Sequence, residues 1–294
     1  MTGRKIGRIV RLAVAFALTA QALVLGQAAP QQQAPQQQEQ PQPSGQKQQQ
    51  QQPSSGEYNP TVGQPGKDVV WVPTSDTLVE AMLDLAQLKP DDYLIDLGSG
   101  DGRTVIAAAR RGATALGIEY NADLVTLSKR RAADAGVTER ASFLNADVFV
   151  SDFSKADVLT LFLLPSLNLR LRPQILDMRP GTRVVSNSFT MGDWEADKQQ
   201  RVEGCTTWCN ALLWIVPAKV DGSWEMPDGV LRLEQHFQHV TGELGATPIA
   251  EGHLVGDGFT FSVGDVQYGG RVNGGTIEGT MSGARTGNWR ATRQ

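Results

Sequence analysis

YLIDLGSGDGR, residues 93–103, is the stretch that decides the fold. Its first five residues, Tyr93 to Leu97, run directly into three glycines at alternate positions, Gly98, Gly100 and Gly102. A short apolar run bounded by glycines is the pattern of a strand buried on both faces. The residues that follow, RTVIAAARR, read as a helix, so the glycines occupy a strand-to-helix turn. There they permit a sharp reversal and close approach of a ligand, and the helix start is expected to present free N–H groups.

The same rhythm extends in both directions. Upstream, VVWVP reads as an extended entry, and Thr74 as the N-cap of a helix over SDTLVEAMLDLAQL, with Leu78, Val79, Met82, Leu83 and Ala86 on one face. Downstream come ATALGIEY as a strand, ADLVTLSKRRAADAG as a helix ending at Gly136, and ASFLNAD and DVLTLFLLP as strands. LNLRLRPQILDM follows as a helix broken or kinked near Pro173, and RVVSNSF as a fifth strand. Strands alternating with helices predict a parallel sheet with helices on both faces, an α/β Rossmann-like domain over residues 57–221. In such sheets ligands sit beyond the carboxyl ends of the strands, where the strand order reverses. Glu119, at the tip of the second strand, is placed to accept both hydroxyls of a ribose.

The spacing D-x-G-x-G-x-G, led by Asp96, differs from the dinucleotide fingerprint G-x-G-x-x-G. It resembles the first motif of the class I S-adenosylmethionine-dependent methyltransferases, and the resemblance runs from about Val69 to Pro217. It implies S-adenosylmethionine as cofactor. Asp96, Gly98, Ser99, Gly100, Asp101 and Gly102 would face its methionine end, Glu119 with Tyr120 and Asn121 its ribose, and Asn145, Ala146 and Asp147 its adenine. Taken singly these residues have blander readings: Asp96 as a loop cap, Asn121 as a helix N-cap, Asp147 as a turn residue.

The end of the fourth strand reads LFLLPSLN, without the acidic or Asn residue, two prolines and an aromatic found in methyltransferases of base amines and glutamine amides. Together with VWVPT, DLGSGDGR, GIEYN, PGTRVVSNSF and MGDW, it resembles bacterial relatives of a family of protein-lysine methyltransferases. The mitochondrial members of that family act on inner-membrane proteins, the c-ring protein of ATP synthase and the adenine nucleotide carrier. The resemblance implies a lysine acceptor in a protein substrate, with membrane-associated proteins among the candidates. Trp71, Pro73, Leu164 and Trp194 would line the mouth of the site, with Thr74, Pro165, Asn187 and Asp193 as further substrate-positioning candidates and no general base. Two alternatives stay open: a small-molecule methyltransferase, and a non-catalytic exported scaffold.

After Gly222 the pattern changes to short strands separated by glycine turns, predicting an antiparallel β domain over residues 222–294, either a small barrel resembling lipocalin sheets or a half-open sandwich. His236 and His239, read on one strand, would point to opposite faces, so no metal site is expected. At the other end, residues 1–29 carry Arg4, Lys5, Arg8 and Arg11 ahead of LAVAFALTAQALVL, a signal peptide or membrane anchor, which predicts an extracytoplasmic or membrane-tethered protein. That location conflicts with the cytoplasmic supply of S-adenosylmethionine. Residues 30–56, rich in Gln and Pro, read as a disordered linker. Removing residues 1–29 takes the formal charge from -4 down by four to -8, a balance unsuited to sequence-independent binding of nucleic acid. Cys205 and Cys209 can be bridged only if the chain turns between them.

Overall fold

The computed structural model describes residues 58–294; the expected export segment and linker lie outside them. Among the described residues, no helix is long and apolar enough to cross a membrane.

The first sheet comprises β1 (Tyr93–Leu97), β2 (Thr114–Glu119), β3 (Ala141–Asn145), β4 (Val158–Leu161), β5 (Arg183–Asn187), β6 (Lys198–Arg201) and β7 (Asn210–Ile215), in the order β3-β2-β1-β4-β5-β7-β6. The first five in that order are parallel, and β7 runs antiparallel between β5 and β6. Strand order reverses between β1 and β4, which puts the glycine turn at the switch point. Sequence reasoning missed β6 and β7. The former is the exposed edge KQQR, with no apolar alternation to betray it.

Side chains alternate across the sheet and feed two cores. Leu94, Val158 and Val185 pack with α1 (Asp76–Leu85), α2 (Arg103–Arg110) and α3 (Ala122–Asp134). Their neighbours Ile95, Leu159 and Val184 pack on the other face with α4 (Pro165–Leu176) and the segment around Trp194. Two helix details differ from expectation. Ser75, not Thr74, caps α1, accepting from Leu78 N at 3.4 Å. Helix α4 opens at Pro165, where a proline has no amide to waste, and runs through Pro173, because a proline in the last turn frees only the carbonyl of a partly exposed turn.

Arg183 joins β5 to the end of α1: its guanidinium donates to the carbonyls of Ala86 and Gln87, each at 3.0 Å, and to Asp92 at 2.6 Å. Both charged side chains are largely buried.

The second sheet is formed by β8 (Gly222–Met226), β9 (Gly229–His236), β10 (His239–Leu244), β11 (Thr247–Pro248), β12 (Ala250–Val255), β13 (Gly258–Val263), β14 (Val266–Asn273), β15 (Thr276–Gly283) and β16 (Gly287–Arg293). Its antiparallel ladder continues from β10 through β12 and β16 to β8 and β9, and β9 pairs back with β10, so the sheet closes into a barrel. Trp224, Leu231, Phe259, Phe261, Tyr268 and Trp289 fill the interior, as expected of a barrel of about eight strands. The structure corrects the reading of VLRLEQHFQHV as one strand. Phe237, at φ 54°, and Gln238 turn the chain, so His236 and His239 lie on adjacent strands as a directly opposed pair. Among the described residues no group of three His, Cys, Asp or Glu is disposed to hold a metal.

The turn at Phe237 docks the barrel on the first sheet. Its ring stacks on Trp194 at 5.8 Å, and Gln238 Nε2 donates to the Glu195 carbonyl at 2.9 Å. Replacing Arg183 with Met strands Asp92 and two carbonyls at the end of α1; a loss of about 3 kcal/mol is expected in denaturant unfolding, with cofactor affinity unchanged.

Candidate active site

The glycine turn is built on left-handed backbone: Gly98, Gly100 and Gly102 have φ of 76°, 55° and 79°. Side chains are disfavoured there by conformation and by space. A Cβ on Gly102 would lie 2.8 Å from Ser128 and Phe143, and one on Gly100 would lie 2.7 Å from the Trp71 indole nitrogen. The turn's amides are not free for an anion. Gly98 N and Ser99 N donate to the Ile118 carbonyl at 2.9 and 3.1 Å, and Gly102 N donates to Ser99 O at 2.9 Å. β2 takes the amides of Gly98, Ser99 and, through Glu119, Gly100, so the turn ahead of the helix start is a rigid cradle.

Glu119 completes that bracing. One carboxylate oxygen accepts from Gly100 N and the other from Asn121 N, both at 2.9 Å, so the side chain is fixed across the strand tips. A carboxylate offers about four acceptor positions, which leaves room for two ribose hydroxyls. Gly98, Glu119, Tyr120, Asn121 and Asp147 border one cleft, together with Leu163 and Phe149. The segment from Gln64 to Val72 lies over it. Lys67 donates to Asp147 at 2.5 Å and sits 4.8 Å from the Tyr120 ring centroid. That hydrogen bond, with the amide of Phe149, holds the Asp147 carboxyl below its ordinary range. An adenine amine would meet Asp147 under this strap.

Asp96, Ser99, Gly100 and Asp101 line a narrow space beside the turn, and several predicted cofactor residues also brace the fold. Ser99 is buried against Gly117, where a Cβ would lie 2.5 Å from its hydroxyl. Asn145 Nδ2 donates to the carbonyls of Glu119 and Tyr120 at 3.1 and 2.7 Å, holding the strand tip rather than facing the cleft. Asn121 is the N-cap of α3 as well as a cleft residue. Ala146 packs into the core. Burial alone would push the Asp101 carboxyl up, but Arg103, which donates to it at 2.7 Å, and Arg131 outweigh that and hold it down. Asp96 differs from Asp101 in its neighbours. Burial pushes it up to about 7, against the hydrogen bond from the Thr160 hydroxyl at 2.7 Å, and the charges of Glu119 and Asp101 add to the rise.

The substrate-positioning candidates divide. Trp71 borders both the cofactor cleft and a narrow space beside the glycine turn; Pro73 and Thr74 line that space and the wider groove next to it. Asn187, 1% exposed, donates through Nδ2 to Thr74 Oγ1 at 3.2 Å and also borders the groove. Its Oδ1 has no partner, a deficit that costs about 1–3 kcal/mol in a buried site. Asp193 and Trp194 are elsewhere. Asp193 pairs with Arg172, and Trp194, 1% exposed, accepts through its carbonyl from Trp214, whose strand partner Val184 is near the amino end of β5. The loop after β5 descends to start β6, carrying MGDW away from the strand tips. Leu164 and Pro165 are the exposed start of α4.

Two groups escaped the sequence reading. Phe162, just after β4, borders the cofactor cleft, the narrow space and the groove alike. It stacks on Phe189 at 5.6 Å and meets Trp208 edge-on at 5.7 Å. The Trp208 loop joins β6 to β7 and is closed by a Cys205–Cys209 disulfide, whose Cα atoms lie 5.6 Å apart. The chain does turn between the two cysteines, at Trp208 with φ 51°.

A parallel sheet with one inserted antiparallel strand, a bare turn after β1 and a carboxylate at the tip of β2 define a class I S-adenosylmethionine-dependent methyltransferase. The family described as the ANTKMT methyltransferase domain matches residues 96–198. A protein-lysine N-methyltransferase of Saccharolobus islandicus is 38% identical over 138 residues, covering 46% of this chain and 86% of the archaeal protein. A human lysine N-methyltransferase of ATP synthase is 34% identical over 128 residues, 43% of this chain and 54% of that protein, so the chain spans only about half of the human relative. A solved RNA methyltransferase of Salinibacter ruber in complex with S-adenosyl-L-homocysteine is 44% identical, covers 51% of this chain and 96% of that one, and superposes with a TM-score of 0.48. The chain belongs to the family of these protein-lysine N-methyltransferases, and it is an S-adenosylmethionine-dependent methyltransferase.

Two measurements probe the cleft. Glu119→Ala removes the brace on Gly100 and the carboxylate expected to accept the ribose hydroxyls; calorimetry is expected to show S-adenosylmethionine affinity falling by about two orders of magnitude. Because folding raises the Asp96 pKa, its contribution to stability is full below the ordinary carboxylate range and is lost as pH rises to about 7. Asp96→Asn keeps an acceptor for Thr160, so its melting temperature relative to the native chain is expected to climb across that window and level off above about pH 7.

Proposed function

We propose that the protein transfers a methyl group from S-adenosylmethionine to the side-chain amine of a lysine in a protein substrate. The observation that carries this reading is the 38% identity shared with a protein-lysine N-methyltransferase across 86% of that enzyme. The geometry supports it. Phe162 connects the cofactor cleft to a groove that opens at the surface between the α1 entry and the disulfide loop, a shape that admits a side chain carried on a large partner.

When bound, the cofactor supplies an electrophilic sulfonium methyl: the N–C bond forms as the S–C bond breaks, the bonding pair goes to sulfur, and the amine's extra proton leaves to solvent. The chain's own task is to present a neutral amine in line with that methyl. Phe162, stacked on Phe189, excludes water around the amine, which lowers its pKa and favours the unprotonated form. Thr74 and Asn187 supply neutral oxygens that orient N–H bonds without restoring the proton.

We further infer that the enzyme works outside the cytoplasm or at a membrane surface, on membrane-associated proteins. The support is the basic and apolar pattern of residues 1–29, together with a disulfide, a bond that persists in oxidising compartments. The cofactor would then have to reach that compartment.

Purified protein incubated with methyl-labelled S-adenosylmethionine and a membrane-protein extract is expected to yield methyl-lysine in tryptic peptides by mass spectrometry. Label confined to small molecules would support the small-molecule alternative, and cofactor binding without any transfer would support the scaffold alternative.

A further inference from the structure

We propose that the groove between Asn187 and the disulfide loop is the channel for the acceptor lysine, with Asn187 as the residue that positions its amine and Trp208 as its outer wall. This rests on the lysine reading above. Asn187 lies at the carboxyl end of β5, and its side chain is fixed by one hydrogen bond, Nδ2 to Thr74 Oγ1 at 3.2 Å. That bond turns the amide so that Oδ1 is left as a buried acceptor with no partner, in a residue that borders the groove. Buried polar atoms are nearly always satisfied, so an orphan beside a functional cleft marks the place of a missing donor. The amine of a lysine is such a donor.

The chemistry fits a neutral acceptor. An amide oxygen takes an N–H of the unprotonated amine and leaves its lone pair free for the methyl, whereas a carboxylate would favour the ammonium form. The walls suit the rest of the side chain. Phe162 and Trp208 meet edge-on at 5.7 Å, offering apolar surface to the lysine methylenes and ring faces to an arriving cation. Trp208 holds a left-handed backbone, φ 51°, within the short loop tied by Cys205 and Cys209. Strain of that kind persists only where the surroundings impose it, and here the covalent tie does so.

The test uses the full chain with the membrane-protein extract as acceptor, following methyl-lysine formation as extract concentration is varied. Asn187→Ala is expected to lower the saturating rate by about tenfold or more, with S-adenosylmethionine affinity within about twofold of the native chain. Asn187→Asp is expected to move the acid limb of the rate profile to higher pH, a shift that a merely structural role would not cause. Trp208 is 44% exposed, so its replacement spares the core. Trp208→Ala is expected to raise the apparent KM about fivefold at unchanged saturating rate, and Trp208→Phe to recover most of that loss. Native rates and KM in both alanine variants, or losses that track cofactor affinity, would overturn the assignment. If Asn187→Ala does not fold, the Trp208 pair decides alone. A native chain that transfers methyl groups but makes no methyl-lysine overturns the lysine reading, an outcome distinct from variants that behave like the native enzyme.

Discussion

One carbonyl organises the catalytic half of the molecule. Ile118 O, near the tip of β2, accepts the amides of both Gly98 and Ser99, and the next residue, Glu119, takes the amide of Gly100. Strand and turn are thereby locked together before any ligand arrives. The left-handed glycines follow from this constraint, since the chain must fold back on β2 within a few residues to bring those amides around. The position of the Glu119 carboxylate follows too, with Trp71 packed over the turn and the segment from Gln64 to Val72 along the cleft.

The parts of the structure that sequence made legible are those where one physical requirement dominates. YLIDL, GIEYN and the helices around them obey burial on two faces, and the alternation of Leu94 with Ile95 or Val184 with Val185 between two cores is its direct result. The bare turn after β1 and the carboxylate at the tip of β2 were legible because glycines at left-handed positions and an acidic residue at a strand end leave a plain mark in the sequence. The misses have different causes. KQQR pairs through its backbone alone, so its side chains carry no signal. The turn at Phe237 uses an aromatic residue at positive φ, which turn chemistry does not favour; tertiary stacking on Trp194 imposes it. Trp194 and Asp193 belong to MGDW, a segment that carries the family resemblance, but the loop after β5 runs the length of the sheet to begin a strand parallel to it.

Asn145 shows a subtler limit. Motif matching identifies the segment that approaches a ligand but not which way each side chain turns. Asn145 ends β3 within reach of the cleft, but its amide turns to the carbonyls at the tip of β2, while Ser99 and Asp101 both border the space beside the turn and brace it through Gly117 and the guanidinium groups of Arg103 and Arg131. Phe162 presents the reverse case. An unremarkable apolar residue in a run of leucines becomes the hub of three connected spaces because β4 ends one residue before it.

The barrel meets the first sheet at Trp194, Glu195, Gly181 and Val216, all toward the amino ends of the parallel strands, while the glycine turn and Asn187 lie at the carboxyl ends. Strands of five residues separate these poles by about 17 Å. The barrel therefore stands away from the cleft and the groove and covers neither. A macromolecule touching both the barrel and the cleft would have to wrap around the flank of the domain, and such a second contact would act by raising the local concentration of its partner.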